Sequence, residues 1–240
     1  MAKKKTSTEI SKALRFQTTE AYKKARTNIV YSIVKKGCKK IIFTSSFKSE
    51  GKTTTAINVA IALSQQVGTK VLVIDCDLRR PTVHTVMNIK SDKGLVNYLN
   101  DECTLGDIIS KSEIDNLDFI TFGAIPPNPS ELLASEAMAE MIKRLESEYE
   151  YIIFDTPPVN MVVDIVPLIG LSDGIVFVIK NNDTTYPEFN RAIDLLKRNN
   201  GKILGIMING IPTTETKKGG YYLSKTKKRK KNTYYGDYYG

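Results

Sequence analysis

The segment Ser46-Phe47-Lys48-Ser49-Glu50-Gly51-Lys52-Thr53 places a glycine, a lysine and a hydroxyl in succession behind an apolar run. Between a strand and a helix, that order suits a phosphate-binding loop. Backbone N–H groups of Ser49, Glu50, Gly51, Lys52, Thr53 and Thr54 would cradle phosphate oxygens where the helix begins. Lys52 would reach the β- and γ-phosphates of ATP, and the Thr53 hydroxyl would take Mg²⁺. Gly51 is the only glycine of the loop. A positive φ at Lys48 or Ser49 would therefore cost about 1–2 kcal/mol. The competing reading is a strand–helix turn with a chance Gly-Lys-Thr.

Two further motifs end apolar runs in carboxylates. In Val71-Leu72-Val73-Ile74-Asp75-Cys76-Asp77-Leu78-Arg79, Asp75 and Asp77 are spaced i, i+2 and can point to one side. In Tyr151-Ile152-Ile153-Phe154-Asp155-Thr156-Pro157-Pro158, Asp155 ends the run and the prolines fix the exit. Ligands bind at the carboxyl ends of strands in open α/β sheets. Mg²⁺ wants hard oxygens, and one or two carboxylates with water suffice. Each acid motif alone could be a polar surface loop. Together and in this order, the three motifs read as a Mg–ATP site.

The elements that must position these residues are legible from periodicity. Residues 18–36 read as an amphipathic helix, with Ala21, Ala25, Ile29 and Ile33 at near-helical spacing and Gly37 as the stop. Strands are expected at 40–45, 71–75, 117–122, 151–155, 174–179 and 203–209. The helix after the phosphate loop should bury Ala56, Val59, Ala60, Leu63 and Val67. Further helical patterns lie near 130–148 and 185–199, the first opened by Asn128-Pro129-Ser130-Glu131 as cap, first turn and capping glutamate. Continuous apolar strands alternating with helices predict a parallel sheet covered on both faces.

The chain has 240 residues, 41% hydrophobic and 25% charged, which excludes collagen, coiled coil and full disorder. No apolar run approaches the 18 or so residues of a membrane span. The basic start is followed by no apolar stretch, so it is not read as a signal peptide. Cys38, Cys76 and Cys103 show no metal-ligand spacing and suit a reducing compartment. The net charge of +9 sits at the ends. Lys3, Lys4 and Lys5 supply +3, and the chain from Lys217 onward, with eight Lys or Arg and Asp237, supplies +7. The organisation expected is a basic arm over 1–17, a folded domain over 18–212 and a flexible basic tail over 213–240. Composition supports the tail, which holds one aliphatic residue, Leu223.

The three motifs together resemble the bacterial tyrosine kinases, P-loop proteins unrelated in fold to eukaryotic kinases, over essentially residues 18–212. Arg79-Arg80-Pro81 with His84, the block Gly94–Leu99 and the block Pro126–Leu133 extend the likeness. It is nearest to the soluble CpsD/CapB-type kinases of capsule and exopolysaccharide loci in Gram-positive bacteria. Lys48-Ser49 departs from the family's usual Pro-Gly.

The resemblance implies a P-loop NTPase of the deviant-Walker type, α/β with a mostly parallel central sheet flanked by helices on both faces. It implies ATP and Mg²⁺ as cofactors, with Thr53, Asp77 and Asp155 toward the metal and Asp75 supporting its water shell. Asp77 would also accept the tyrosine proton. Asn209 resembles the family's adenine-contacting position. Glu20, Lys23 and Arg26 resemble a Glu-x2-Arg-x2-Arg motif that joins subunits into a ring, an octamer in its full form, with Lys23 where the first Arg would stand. Lysine lacks the planar fork of arginine, so that contact is expected to be weaker. A solvated charged face is the other reading. The family also implies a membrane activator of the polysaccharide co-polymerase type, whose cytoplasmic end would hold this cytoplasmic chain at the inner membrane face.

Six of the twelve tyrosines crowd the last 20 residues, Tyr221, Tyr222, Tyr234, Tyr235, Tyr238 and Tyr239, where there is no core to fill. The kinase reading makes them phosphoacceptors, each phosphate adding about −1.5 to −2 charge beside the Lys/Arg run. The competing reading is an aromatic–basic tail that binds RNA or membrane; nucleic acid is not the expected partner. His84, the one histidine, is expected to be structural. Two other functions compete. One is a positioning ATPase of the plasmid-partitioning or division-site kind, against which Phe47 stands where those proteins carry a lysine. The other is a nucleotide-gated scaffold without catalysis.

Overall fold

The structure is a computed structural model that describes residues 7–211. Lys3, Lys4 and Lys5, the domain's expected end at Pro212 and all six clustered tyrosines lie outside the described residues.

Seven strands form one sheet: β1 (Lys39–Ser45), β2 (Val71–Asp75), β3 (Ile109–Lys111), β4 (Leu117–Ile120), β5 (Tyr151–Asp155), β6 (Gly174–Lys180) and β7 (Ile203–Asn209). Their order is β3-β4-β2-β5-β1-β6-β7, and every pairing is parallel except β3 with β4. The helices are α1 (Ser7–Ser32), α2 (Lys52–Ser64), α3 (Val83–Met87), α4 (Leu95–Leu99), α5 (Leu105–Ile108), α6 (Pro129–Leu133), α7 (Glu136–Leu145), α8 (Val166–Ile169) and α9 (Tyr186–Arg198). This is the expected doubly covered, mostly parallel α/β architecture.

The central strands are buried on both faces, and successive side chains divide between two cores. Ile41, Phe43, Val71, Val73, Phe119, Ile153, Val176 and Val178 pack with Ile29 and Ile33 of α1 and with Ala56, Val59, Ala60 and Leu63 of α2. Ile42, Leu72, Ile74, Ile120, Ile152, Phe154 and Phe177 face the other way, toward Met138, Ile142 and Leu145 of α7 and Ala192 and Leu196 of α9. Period-two alternation thus explains why the strands read as unbroken apolar runs.

Several local expectations need correction. The first helix runs from Ser7 to Ser32 rather than over 18–36. Val67 is exposed, because α2 ends at Ser64 and Val67 lies in the turn before β2. The strand expected at 117–122 closes at Ile120. The single helix expected over 130–148 is two, α6 and α7, separated where Ser135 caps α7 by accepting the Met138 N–H at 3.2 Å. The Asn128 side chain caps no backbone group, and its amide donates to the Glu131 carboxylate at 2.8 Å. The edge strand β3 and helices α3, α4, α5 and α8 are three to five residues long, too short to produce a periodic signal.

Candidate active site

β1, β2 and β5 lie side by side and end at the same edge. In register, Asp75 stands beside Asp155 and Asp155 beside Phe43, so the phosphate-loop segment and both acid motifs converge. The backbone fixes the convergence. The Cys76 N–H donates to the Asp155 carbonyl at 2.8 Å, and the Thr156 N–H to the Phe43 carbonyl at 3.1 Å.

Gly51 caps α2 with φ +89°, and Ser49 also adopts a positive φ, +65°. Ser49 therefore tolerates the left-handed geometry that a glycine would take more easily, while Lys48 avoids it. The loop is braced by its own side chains. The buried Glu50 carboxylate accepts the Phe47 N–H at 2.8 Å and the Thr184 hydroxyl. Asn209 donates its amide to the Glu50 carbonyl at 2.9 Å and to Thr55 Oγ1 at 3.0 Å. A Cβ on Gly51 would meet Asn209 Nδ2 at 2.6 Å and displace that amide, and the positive φ itself favours glycine there.

Lys52 Nζ lies 2.9 Å from Asp77 Oδ2 and 3.6 Å from Asp155 Oδ1. Thr53 Oγ1 donates to Asp155 Oδ2 at 2.6 Å and sits 2.9 Å from Thr82 Oγ1. Asp77 Oδ1 accepts the Arg80 N–H at 3.1 Å. Asp75 is engaged more fully, since its oxygens accept the N–H groups of Asp77, Thr82 and Val83 at 3.2, 3.1 and 3.0 Å. It shapes the loop that carries Asp77 and Thr82.

Burial would pull the Lys52 ammonium's pKa down, but the charges of Asp155 and Asp77 outweigh it and hold the pKa above the ordinary lysine value. Burial pushes the Asp75 carboxyl well above the usual range, and the neighbouring Asp155 charge adds to it. Burial also raises the Asp155 pKa, against the opposing pull of Lys52 and the Thr53 hydrogen bond.

Lys52, Thr53, Asp77 and Thr82 line a cleft of about 370 Å³ together with Lys48, Ser49, Gly51, Thr54, Arg80, Val86 and Pro158, and Asp75 and Asp155 lie buried behind them. Three buried carboxylates surround one buried ammonium, and Asp155 Oδ1, fully buried, makes no hydrogen bond beyond its 3.6 Å approach to Lys52 Nζ. A buried acceptor without a hydrogen bond, in a cluster of carboxylates, fits a divalent cation. The glycine-capped turn at the start of α2 fits phosphate. Of the residues expected in the site, Ser49, Glu50, Gly51, Lys52, Thr53, Thr54, Asp75, Asp77, Asp155 and Asn209 come together here.

Glu20, Lys23 and Arg26 lie apart from it. Lys23 pairs with Glu20 at 2.9 Å on the open side of α1. Arg26 turns inward and donates to the Ala62 carbonyl at 3.1 Å, so the three do not form one solvated face. His84 packs on Phe122, ring centroids 5.1 Å apart, with Nε2 3.0 Å from Thr85 Oγ1, a structural placement. The cysteines are unpaired, and among the described residues no His/Cys/Asp/Glu group of three or more is arranged to hold a metal by itself. The Thr53 hydroxyl, beside Asp155, is an additional oxygen for a metal site there. Sequence reasoning missed Thr82 beside Thr53. It also missed the Arg79–Asp164 pair, Nε to Oδ2 at 2.7 Å and Nη2 to Oδ1 at 3.2 Å, which ties the loop after β2 to the segment after β5. Both depend on how those loops fold back, and no motif spacing reports that.

Comparison with known proteins places this geometry. The AAA domain family matches residues 39–197. The tyrosine-protein kinase YwqD of Bacillus subtilis is 39% identical over 86% of this chain and 87% of its own. The putative tyrosine-protein kinase CapB of Staphylococcus aureus is 33% identical over 85% and 89%. Among solved structures, the chimerical protein CapA2B2 aligns with a TM-score of 0.77 at 35% identity, covering 81% of this chain and 85% of that one. The septum site-determining protein MinD of Pyrococcus horikoshii, at 23% identity and a TM-score of 0.60, shares the fold alone. The chain belongs to the bacterial tyrosine-protein kinase family and has the P-loop NTPase fold.

Proposed function

We propose that this chain transfers the terminal phosphoryl group of ATP to tyrosine hydroxyls, its own tail tyrosines among them, and so regulates capsular or exopolysaccharide synthesis. The observation that carries the reading is the cluster of Lys52, Thr53, Asp77 and Asp155 at one end of β1, β2 and β5, with Asp155 Oδ1 left for a cation. The loop amides and Lys52 bind the phosphates. Thr53, Asp77 and Asp155 would hold Mg²⁺, which when bound offsets phosphate charge. Asp77 takes the proton of the attacking tyrosine hydroxyl as the new O–P bond forms and ADP leaves with the old bridging oxygen. Asp75 holds the Asp77 loop in place through its three backbone N–H contacts. Such chemistry is chiefly positioning and charge stabilisation. Asn209 supports the phosphate loop from behind, and its contact with adenine stays part of this proposal.

The organisation proposed is a basic arm over 1–17, a kinase domain over 18–212 and an acceptor tail over 213–240. Unphosphorylated subunits assemble as a ring through the α1 segment that contains Glu20, Lys23 and Arg26. No helix of the described residues is long and apolar enough to cross a membrane. Attachment to the inner membrane face is assigned to a partner of the co-polymerase type. The likeness to the chimerical protein CapA2B2 supports looking for such a partner.

The test is the intact mass of the protein after incubation with Mg–ATP, alone and with a cytoplasmic peptide of a candidate membrane partner. Gains in steps of about 80 Da, the mass of HPO₃, that vanish in Lys52→Met and in a chain ending at Thr216 are expected. ATP turnover without mass gain in every sample would replace the kinase reading with a positioning ATPase.

A further inference from the structure

The cleft has two walls of different chemistry. Gly51, Lys52, Thr53 and Thr54 belong to the phosphate loop and α2, whereas Arg80, Val86 and Pro158 belong to the segments after β2 and β5. The second wall is not needed to hold phosphates. It adjoins Asp77, whose Oδ1 accepts the Arg80 backbone N–H at 3.1 Å, so the Arg80 side chain leaves the same turn as the proposed base. Val86 is an apolar side chain half exposed at the cleft, and the largely buried Pro158 adds a smaller apolar edge to the lining. Lys48 stands in the lining as another cation.

We propose that Val86 and Pro158 flank the ring of the acceptor tyrosine, and that Arg80 with Lys48 makes this site select tyrosines with an acidic neighbour. The proposal rests on the kinase reading and deepens it by naming the acceptor's chemistry. A phenol needs apolar flanks for its ring and a carboxylate at the end of its path, and the cleft lining holds Val86, Pro158 and the nearly buried Asp77. Two cations in the lining attract an acidic flanking residue and oppose a basic one.

The chain's own tyrosines differ in this respect. Tyr238 and Tyr239 follow Asp237, and no Lys or Arg occurs from Asn232 to Gly240. Tyr221 and Tyr222 stand between Lys218 and Lys225. The site therefore takes Tyr238 and Tyr239 first. Each phosphate then adds about −1.5 to −2 charge next to the remaining hydroxyls, which turns Tyr234 and Tyr235 into acid-flanked acceptors. Tyr221 and Tyr222, beyond the Lys/Arg run, come last.

The experiment is a site-resolved mass-spectrometric time course on the full chain with Mg–ATP. Initial phosphorylation of Tyr238 and Tyr239 should exceed that of Tyr221 and Tyr222 by about fivefold, the upper range for an exposed charge pair. Arg80→Glu should bring the two rates to parity or invert them, and Arg80→Lys should keep the original order. Asp237→Lys, which leaves the cleft untouched, should slow Tyr238 and Tyr239 and spare Tyr221 and Tyr222. Early phosphate on Tyr221 and Tyr222, or an order unmoved by both Arg80→Glu and Asp237→Lys, would overturn the acceptor proposal alone. Tyrosine phosphate at no position, with the cytoplasmic peptide of the candidate partner present as well as absent, would overturn the kinase reading and this proposal with it.

Discussion

Asp118 and Asp155 are both buried carboxylates of the same sheet, near opposite ends of its strands, and each lies beside lysine. Asp118 Oδ2 takes Lys111 Nζ and the Tyr149 hydroxyl, each at 2.7 Å, with Lys70 Nζ at 3.8 Å. One acid there meets two ammonium groups and a phenol. At the other end the buried acids Asp75, Asp77 and Asp155 share one buried ammonium, Lys52, and Asp155 Oδ1, 3.6 Å from it, makes no hydrogen bond. Burying a charge without compensation is expensive. A fully compensated carboxylate is therefore structural, and an undercompensated cluster marks where a cation belongs. The difference separates a site from a brace without reference to any motif.

Substitutions at the two ends should separate in the same way. Asp155→Asn should lower phosphorylation by about 10² or more, the scale of losing a preorganised electrostatic group, measured as initial rate with Mg–ATP. Without nucleotide and metal the same change should leave stability equal or raised, because it relieves carboxylate crowding; urea unfolding checks this. Asp118→Asn should do the reverse. It should cost about 1–3 kcal/mol by weakening the contacts of Tyr149 and the lysines, with the phosphorylation rate within about twofold of the parent's.

A smaller effect sharpens the comparison through pH. The carboxyl pKa values of Asp75 and Asp155 are raised in the folded chain, with burial the largest cause. The folded state thus binds protons that the unfolded state has released above about pH 4. Their contribution to stability is complete below that pH and is lost as pH rises through the raised folded values. Denaturant midpoints measured upward from pH 5 should fall with a slope that flattens in Asp155→Asn and persists in Asp118→Asn. The smallest effect expected is that of Lys111→Ala. Its side chain is 70% exposed, so the ion pair should contribute no more than about 1 kcal/mol.

Much of this was legible in the sequence because strands buried on both faces must be apolar throughout and must end where solvent and ligands begin. VLVID and YIIFD announce both a strand and the acid at its end, and the register then brings Asp75 and Asp155 side by side. The phosphate loop was legible because Gly51, Lys52 and Thr53 sit at a strand–helix junction. Thr82 was not, because its contact with Thr53 depends on the turn that Asp75 organises through three backbone N–H groups. Arg26 carried a charge pattern that suggested an outward face, yet the packing of α1 on α2 directs it to the Ala62 carbonyl. The break between α6 and α7 escaped because apolar spacing continues across Ser135, and only the cap reveals it. Asn209 was legible as a strand end, and its support of Gly51 from behind was not.

If the carboxylates around Lys52 hold a divalent cation with a nucleotide, binding must stabilise the fold through Asp155. The measurement is the unfolding temperature of the full chain with and without Mg²⁺ and a non-hydrolysable ATP analogue, compared among the parent, Asp155→Asn and Asp118→Asn. A ligand-dependent rise that the parent and Asp118→Asn share and that Asp155→Asn largely loses is expected. An undiminished rise in Asp155→Asn, or no rise in the parent at millimolar ligand, would contradict this role of the carboxylates.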